Sequence, residues 1–323
     1  MINGKQYFNE IIGQESVKAR LRFFIHNYEK TFRLPPVLIL GGFGNGKTSI
    51  CRSLCKALKD KDNPSKIKLL LEVHGNEYQT KDDVMNKLVI PYLSEGNYSL
   101  FVDECHAMGL DAQETFLKLI PDPNNPTNIA KYHFEGADYE VNFNKVSIIM
   151  ASTEGQELLG SFKSRFEILE MDEYEDSDLE KIFLRGLKKF TTDNKILPKI
   201  IGHVKNNPRA VANLAKNISD YLQRENKNEL TINDWPDIHH GLQLRPQGLD
   251  SIQIKIMRIL KKHSHSSLSK VASMLELTPE ACRRHHELYL MKLGYLNVKA
   301  GAGRSLSASG VRYLQDLDKE LTS

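Results

Sequence analysis

The sequence predicts an α/β fold with a parallel sheet, followed by a helical region and a C-terminal winged helix. Three observations carry that prediction. Val37 to Leu40 is an apolar run of strand length that leads directly into Gly41-Gly42-Phe43-Gly44-Asn45-Gly46-Lys47-Thr48, after which Ser49 to Leu58 spaces its apolar residues as a helix does. Tyr98 to Asp103 and Lys145 to Thr153 are further apolar runs that end in polar residues, the pattern of buried parallel strands whose carboxyl ends open on a ligand crevice. Beyond Leu244 come amphipathic segments, a strand and a Gly-rich turn in the order of a winged helix.

The segment from Gly41 to Thr48 fits G-x-x-x-x-G-K-[ST], and its strand-before, helix-after context is what that pattern needs. Glycine lets the backbone approach a ligand closely, and the helix N-terminus behind it offers unpaired N–H groups and positive potential to a triphosphate. Gly44, Asn45, Gly46, Lys47, Thr48 and Ser49 are therefore the candidate nucleotide contacts. Lys47 would reach the β- and γ-phosphates, and the Thr48 hydroxyl would hold Mg²⁺.

Tyr98-Ser99-Leu100-Phe101-Val102-Asp103-Glu104-Cys105-His106 supplies two acids at a strand end. Asp103 is placed to bind Mg²⁺ through its shell, and Glu104 to orient or deprotonate the attacking water. The third run ends in small hydroxyl residues, and a polar residue at its end could bond the γ-phosphate or the water. A hydroxyl capping the next segment fits that stretch nearly as well. Further on, Asn207 and Pro208 read as a helix start, which puts Arg209 in a first turn. A cation there opposes the macrodipole unless an anion such as a phosphate lies nearby.

Composition bounds the rest. A chain of 323 residues suits two or three domains, and 40% hydrophobic with 26% charged residues is ordinary for globular proteins. No apolar run reaches membrane-span length, and Met1 to Glu10 lack a signal-peptide pattern, so a cytoplasmic protein with no membrane partner is expected. Cys51, Cys55, Cys105 and Cys282 are scattered, which reads as reduced structural thiols. From Arg245 onward the net charge is +6 while the rest carries −3. That asymmetry suits a C-terminal module meeting a nucleic-acid backbone, and a solvated basic face is the plainer reading.

The boundaries follow from these signals: residues 1–172 as the nucleotide-binding domain, 173–244 as a helical domain, and 245–323 as the winged helix. The second begins at Asp172-Glu173-Tyr174-Glu175-Asp176, with Leu179, Ile182, Phe183 and Leu187 at helical spacing. In the third, Ile252, Ile256, Ile259 and Leu260 mark one helix, Leu268 to Leu275 a second, and Thr278-Pro279 the start of a third bearing Arg283 and Arg284. Tyr295 to Arg304 follows as a strand and Gly-rich wing. Adjacent His285 and His286 point apart on a helix, which disfavours a metal site.

Taken in this order, the motifs resemble those of AAA+ ATPases, and more narrowly the RuvB family of Holliday junction branch-migration motors. Phe8 to Lys18 is similar to the family's N-terminal segment, which implies that Ile11 and Ile12 lie against adenine. Phe101 to His106 resembles its Walker B strand. Ala151-Ser152-Thr153 resembles sensor 1, Ser164-Arg165-Phe166 the arginine finger, and Asn207-Pro208-Arg209 sensor 2, while Gln247 to Asp250 and Leu293 to Leu296 resemble segments of its C-terminal domain. The resemblance implies ATP and Mg²⁺ as cofactors, a helical lid over residues 173–244, and catalytic roles for Lys47, Glu104, Thr153, Arg209 and, in trans, Arg165. It implies Pro208 and Arg209 at the nucleotide and a homo-oligomeric ring, with a hexamer expected. Its substrate would be double-stranded or junction DNA, moved by ATP-driven translocation.

By the same resemblance the wing approaches the DNA backbone, so Lys299 and Arg304 are preferred as phosphate contacts over Arg283 and Arg284 as base readers. A winged helix serving protein contacts is the alternative there. Two departures stand out. Ala130 to Phe143 reads as a shorter hairpin than the one with which the family grips RuvA, and Gly42-Phe43 replaces two prolines common in its phosphate loop. The adaptor is accordingly expected to be RuvA-like or another protein, and the divergence suits a phage-encoded or outlying relative. A loader that places a replicative helicase or another ring on DNA is the alternative function.

Overall fold

The computed structural model of the chain describes residues 7–120, 128–299 and 303–320. Two compact units emerge. The first comprises residues 1–185 with 207–213, and the second 186–206 with 214–323.

The first unit opens with α1 (Glu15–Thr31), β1 (Val37–Leu40), α2 (Lys47–Ala57) and β2 (Leu69–His74). A short α3 (Lys81–Val84) runs on into a π-helical stretch, Met85–Leu93, and β3 (Tyr98–Asp103), α4 (Leu110–Leu119), β4 (Ile129–Phe134), β5 (Ala137–Asn142) and β6 (Ser147–Ser152) follow. α5 (Gly160–Lys163), β7 (Glu167–Glu170) and α6 (Asp176–Gly186) complete the run.

Five of these strands form one parallel sheet in the order β2-β3-β6-β1-β7. The predicted strands are its centre: β3, β6 and β1 are neighbours, with Leu38 opposite Met150 and Val102 opposite Met150 on the other side. Side chains alternate between two cores. Leu38, Leu100, Val102, Ile148 and Met150 pack on one face, and Val37, Ile39, Phe101, Ile149 and Ala151 on the other with α1 and α2. Burial on both faces is why these strands read as continuous apolar runs.

The predicted hairpin is β4 paired with β5, from Ile129 opposite Asn142 to Phe134 opposite Ala137. Its turn is the two residues Glu135 and Gly136, both at positive φ (48° and 80°), the twist that a two-residue hairpin loop requires. Ala130, Phe134 and Val141 join the core, while Lys131 pairs with Glu140 and His133 with Asp138 on the outer side.

The second unit holds β8 (Thr191–Thr192), α7 (Leu197–Gly202), most of α8 (Pro208–Arg224), β9 (Glu229–Leu230) and α9 (Trp235–Gly241). It continues through α10 (Ser251–His263), α11 (Leu268–Met274), α12 (Pro279–Cys282), a π-helical turn Arg283–Glu287, α13 (Leu288–Lys292), β10 (Leu296–Lys299), β11 (Gly303–Leu306) and α14 (Ala308–Glu320). Capping fixes the starts: Asp250 accepts from the Gln253 amide at 2.8 Å, and Thr278 from the Ala281 amide at 3.2 Å. β10 and β11 pair antiparallel as the wing, and its predicted Gly-rich turn, residues 300–302, lies outside the described residues.

α6 clusters with the nucleotide-binding unit rather than with the helices after it, and the contacts group residues 214–244 with the winged helix. Among the described residues, no helix is long and apolar enough to cross a membrane. All four cysteines are buried and free.

Candidate nucleotide site and nucleic-acid surface

β1 hands the chain to the loop at Gly41, and Gly44 and Gly46 take φ of 80° and 89°, a region that side chains disfavour. The loop ends at Lys47, the first residue of α2, so the unpaired amides of a helix start face the crevice. A cavity of 320 Å³ opens there, lined by Gly44, Gly46, Lys47, Thr48, Ser49, Asp103, Glu104, Pro208 and Arg209, all predicted, together with Phe43, Ile182, Arg185 and Ala212. Every one of these residues belongs to the first unit. Asn45 does not line the cavity, but its carbonyl accepts the Tyr174 hydroxyl at 3.1 Å.

The Lys47 ammonium donates to the Gly41 and Gly42 carbonyls at 2.9 and 3.1 Å. Burial pulls its pKa below the ordinary lysine value, and the nearby Glu104 and Asp103 carboxylates oppose that shift. The Thr48 hydroxyl donates to one Asp103 oxygen at 2.8 Å, while the Glu104 amide donates to the other at 3.0 Å. A hydroxyl and a carboxylate side by side at the cavity wall are hard oxygen donors, the set that suits a magnesium ion keeping most of its waters. Among the described residues, no group of three or more His, Cys, Asp and Glu could hold a metal by itself.

Glu104 sits just past β3 in a left-handed conformation, φ 49° and ψ 48°. Gly75, at the end of β2, makes room for that turn: a Cβ there would lie 2.4 Å from the Glu104 carbonyl. The carboxylate is held at Oε2, where the Thr153 hydroxyl donates at 2.9 Å and His106 Nδ1 lies at 3.3 Å. His106 Nδ1 is also 3.1 Å from the Ser152 hydroxyl, whose oxygen accepts the Glu154 amide at 3.0 Å. At this strand end, Thr153 thus faces the acid, and Ser152 accepts a bond from the backbone two residues on. Gly75 and Ser152 went unread as site residues, although a glycine directly after a strand is a signal for close backbone approach.

α8 starts as the sequence implied, with Asn207 Oδ1 accepting the Ala210 amide at 2.8 Å and Pro208 in the first turn. The Arg209 amide donates to the Gly44 carbonyl at 3.3 Å, and its guanidinium lies 4.4 Å from the centre of the Phe43 ring. Ile11 and Ile12 do not line the cavity. Ile11 packs partly against the α1–α2 core and its carbonyl accepts from Lys18 at 3.0 Å; next to it, Glu10 is bonded to Ser53 of α2 and Arg185 of α6.

Arg165 follows α5, at the amino end of β7, and lines a separate 390 Å³ cavity with Phe23, Arg33, Phe143 and Phe166. That cavity and the one at Lys47 share no residue. One chain therefore does not bring Arg165 to its own phosphate loop.

In the second unit, Arg283 and Arg284 are exposed on the helix that begins at Thr278, and Arg284 pairs with Glu280 at 3.5 Å. Lys299 is exposed at the end of β10. Arg304 is placed differently from a free phosphate contact: its Nε lies 3.1 Å from both oxygens of Glu287, whose side chain is only 5% exposed. The guanidinium neutralises a buried acid and ties β11 to the helix.

The comparisons agree with this geometry. Residues 37–173 match the model of the ATPase family associated with various cellular activities (AAA), and residues 246–315 that of the RuvB C-terminal winged helix domain. The Holliday junction branch migration complex subunits RuvB of Ureaplasma parvum and Mycoplasmopsis pulmonis are 25% and 26% identical, the alignments covering 96% and 95% of this chain and 96% of each relative. The fold matches that of the Thermotoga maritima RuvB Holliday junction branch migration motor, with a TM-score of 0.77 at 21% identity over 98% of this chain and 99% of that one. An AAA segment and a RuvB C-terminal winged-helix segment thus stand on one chain that aligns with curated RuvB proteins over nearly its whole length.

Proposed function

We propose that this chain is an ATP-driven motor that moves along double-stranded DNA and branch-migrates Holliday junctions or related recombination intermediates, working as a homo-oligomeric ring whose expected size is six. The observation that carries the reading is Lys47, Thr48, Asp103 and Glu104 around one cavity, with Thr153 bonded to Glu104, on a chain whose other unit carries the winged helix.

When bound, Mg²⁺ supplies charge neutralisation for the phosphates. Thr48 and Asp103 would hold it, and Lys47 with the loop amides would bind the triphosphate. Glu104, oriented at Oε2 by Thr153 and His106, accepts the proton of the attacking water or aligns it. Arg165, remote from its own loop, acts on a neighbour's nucleotide, where a guanidinium stabilises charge in the transition state. Lys299 is the candidate backbone contact of the wing, a sequence-neutral interaction that suits movement along any DNA.

The test is branch migration of a synthetic four-way junction by the full chain, with and without an adaptor of the RuvA type. ATP-dependent migration that disappears in Lys47→Ala is the expected result. A protein that hydrolyses ATP yet never moves a junction, and instead co-purifies with a replicative helicase, would favour a loader.

A further inference from the structure

In the phosphate loop of this chain, the most exposed aromatic side chain stands beside the cation of the sensor helix. Phe43 is 70% exposed, and its ring centre is 4.4 Å from the Arg209 guanidinium carbon. The backbones beneath are already in contact: the Arg209 amide donates to the Gly44 carbonyl, and a Cβ on Gly44 would lie 2.9 Å from Asn207 Oδ1 and 3.2 Å from Arg209 Cβ. Both side chains line the nucleotide cavity with Lys47 and Thr48.

A large exposed phenyl has no packing reason to be in a loop whose work is done by backbone amides. It does have an electrostatic one. Arg209 occupies the first turn of α8, where the helix dipole disfavours a cation, and Lys47 across the cavity repels it as well. The negative face of an aromatic ring offsets part of that cost and restricts a side chain that otherwise has many rotamers.

We propose that Phe43 is a positioning residue: through a cation–π contact it holds the Arg209 guanidinium at the mouth of the cavity, where that cation meets the nucleotide phosphates. The inference deepens the nucleotide reading above and rests on it. Trp, Tyr and Phe at position 43 should serve in that order of ring strength, whereas Leu keeps bulk and hydrophobicity without a ring face.

The test is a double-mutant cycle in the full chain. ATP dissociation constants and hydrolysis rates are measured for wild type, Phe43→Leu, Phe43→Trp, Arg209→Ala and the two combinations with Arg209→Ala, each first checked for an unchanged thermal midpoint. Phe43→Leu is expected to weaken ATP binding or turnover about two- to fivefold, the scale of an exposed cation–π contact. Phe43→Trp should match or exceed wild type, and neither change should matter once Arg209 is gone. Equal losses in the presence and absence of Arg209, or a Leu variant as good as Trp, would overturn the role. A wild-type chain that binds no ATP would remove the nucleotide reading itself, and this role with it.

Discussion

Glu104 is where strain, hydrogen bonding and chemistry meet in a single residue. Its left-handed backbone is a conformation that a non-glycine side chain adopts at a cost, and it persists because Asp103, Thr153 and His106 each hold part of it. Glu104→Gln removes the base without removing the shape. It should retain ATP binding and lose turnover by about 10² or more, as read by paired binding and hydrolysis assays. His106→Ala should lower turnover with little change in ATP affinity, because His106 touches the acid and does not line the phosphate cavity. Lys68 gives a stability prediction of a different kind. It is 3% exposed, donates to Ser147 at 3.0 Å, and desolvation brings its pKa from 10.5 down to about 8. The unfolded chain therefore binds more protons than the native one between pH 8 and 10.5, so unfolding free energy should rise with pH across that window. The gain should be on the order of 3 kcal/mol, fully absent at pH 7. Denaturant titrations at pH 7 and pH 10 check the slope, which Lys68→Met should flatten.

The element scale shows what a strand's end owes to its neighbour. β2 lies beside β3, and Gly75 at its end lets the Glu104 carbonyl approach to where a Cβ would stand at 2.4 Å. Gly75→Ala should push on the turn that aims Glu104 and reduce turnover at least tenfold in a steady-state assay, with the sheet core intact. Full activity in that variant would mean the turn has slack. The strands β1, β3 and β6 were legible in the sequence because parallel strands buried on both faces leave continuous apolar runs, α8 and α12 because Asn207 and Thr278 cap them, and α10 because Ile252, Ile256, Ile259 and Leu260 fall at helical spacing. β2 was not, since as an edge strand it leaves Leu69 and Leu70 exposed. Nor were the π-helical stretches at Met85–Leu93 and Arg283–Glu287, since no apolar spacing or capping residue distinguishes them from an α-helix. At the site, Asp103, Glu104 and the phosphate-loop residues that line the cavity could be read from their spacing, whereas Thr153 and Arg165 entered through the family resemblance. The close approach of Gly75 to the Glu104 carbonyl, the contact of Ser152 with His106, and the commitment of Arg304 to Glu287 depend on distances between elements that spacing does not encode.

Across the whole molecule, the account turns on Arg165 lying away from the phosphate loop of its own chain. Under the proposed function, hydrolysis then needs a pair of neighbours. Arg165→Ala should leave ATP binding intact and cut turnover by about 10³ to 10⁵, the scale of arginine fingers in phosphoryl transfer. Two defects on different chains should also repair one another. The direct measurement is ATP hydrolysis by a mixture of Glu104→Gln and Arg165→Ala chains, each inactive alone, assembled on junction DNA. A chain with an intact Glu104 beside a chain with an intact Arg165 makes a complete site, so the mixture should recover a substantial share of wild-type turnover. No recovery in verified mixed assemblies, or full-rate hydrolysis by isolated monomers, would contradict the shared site.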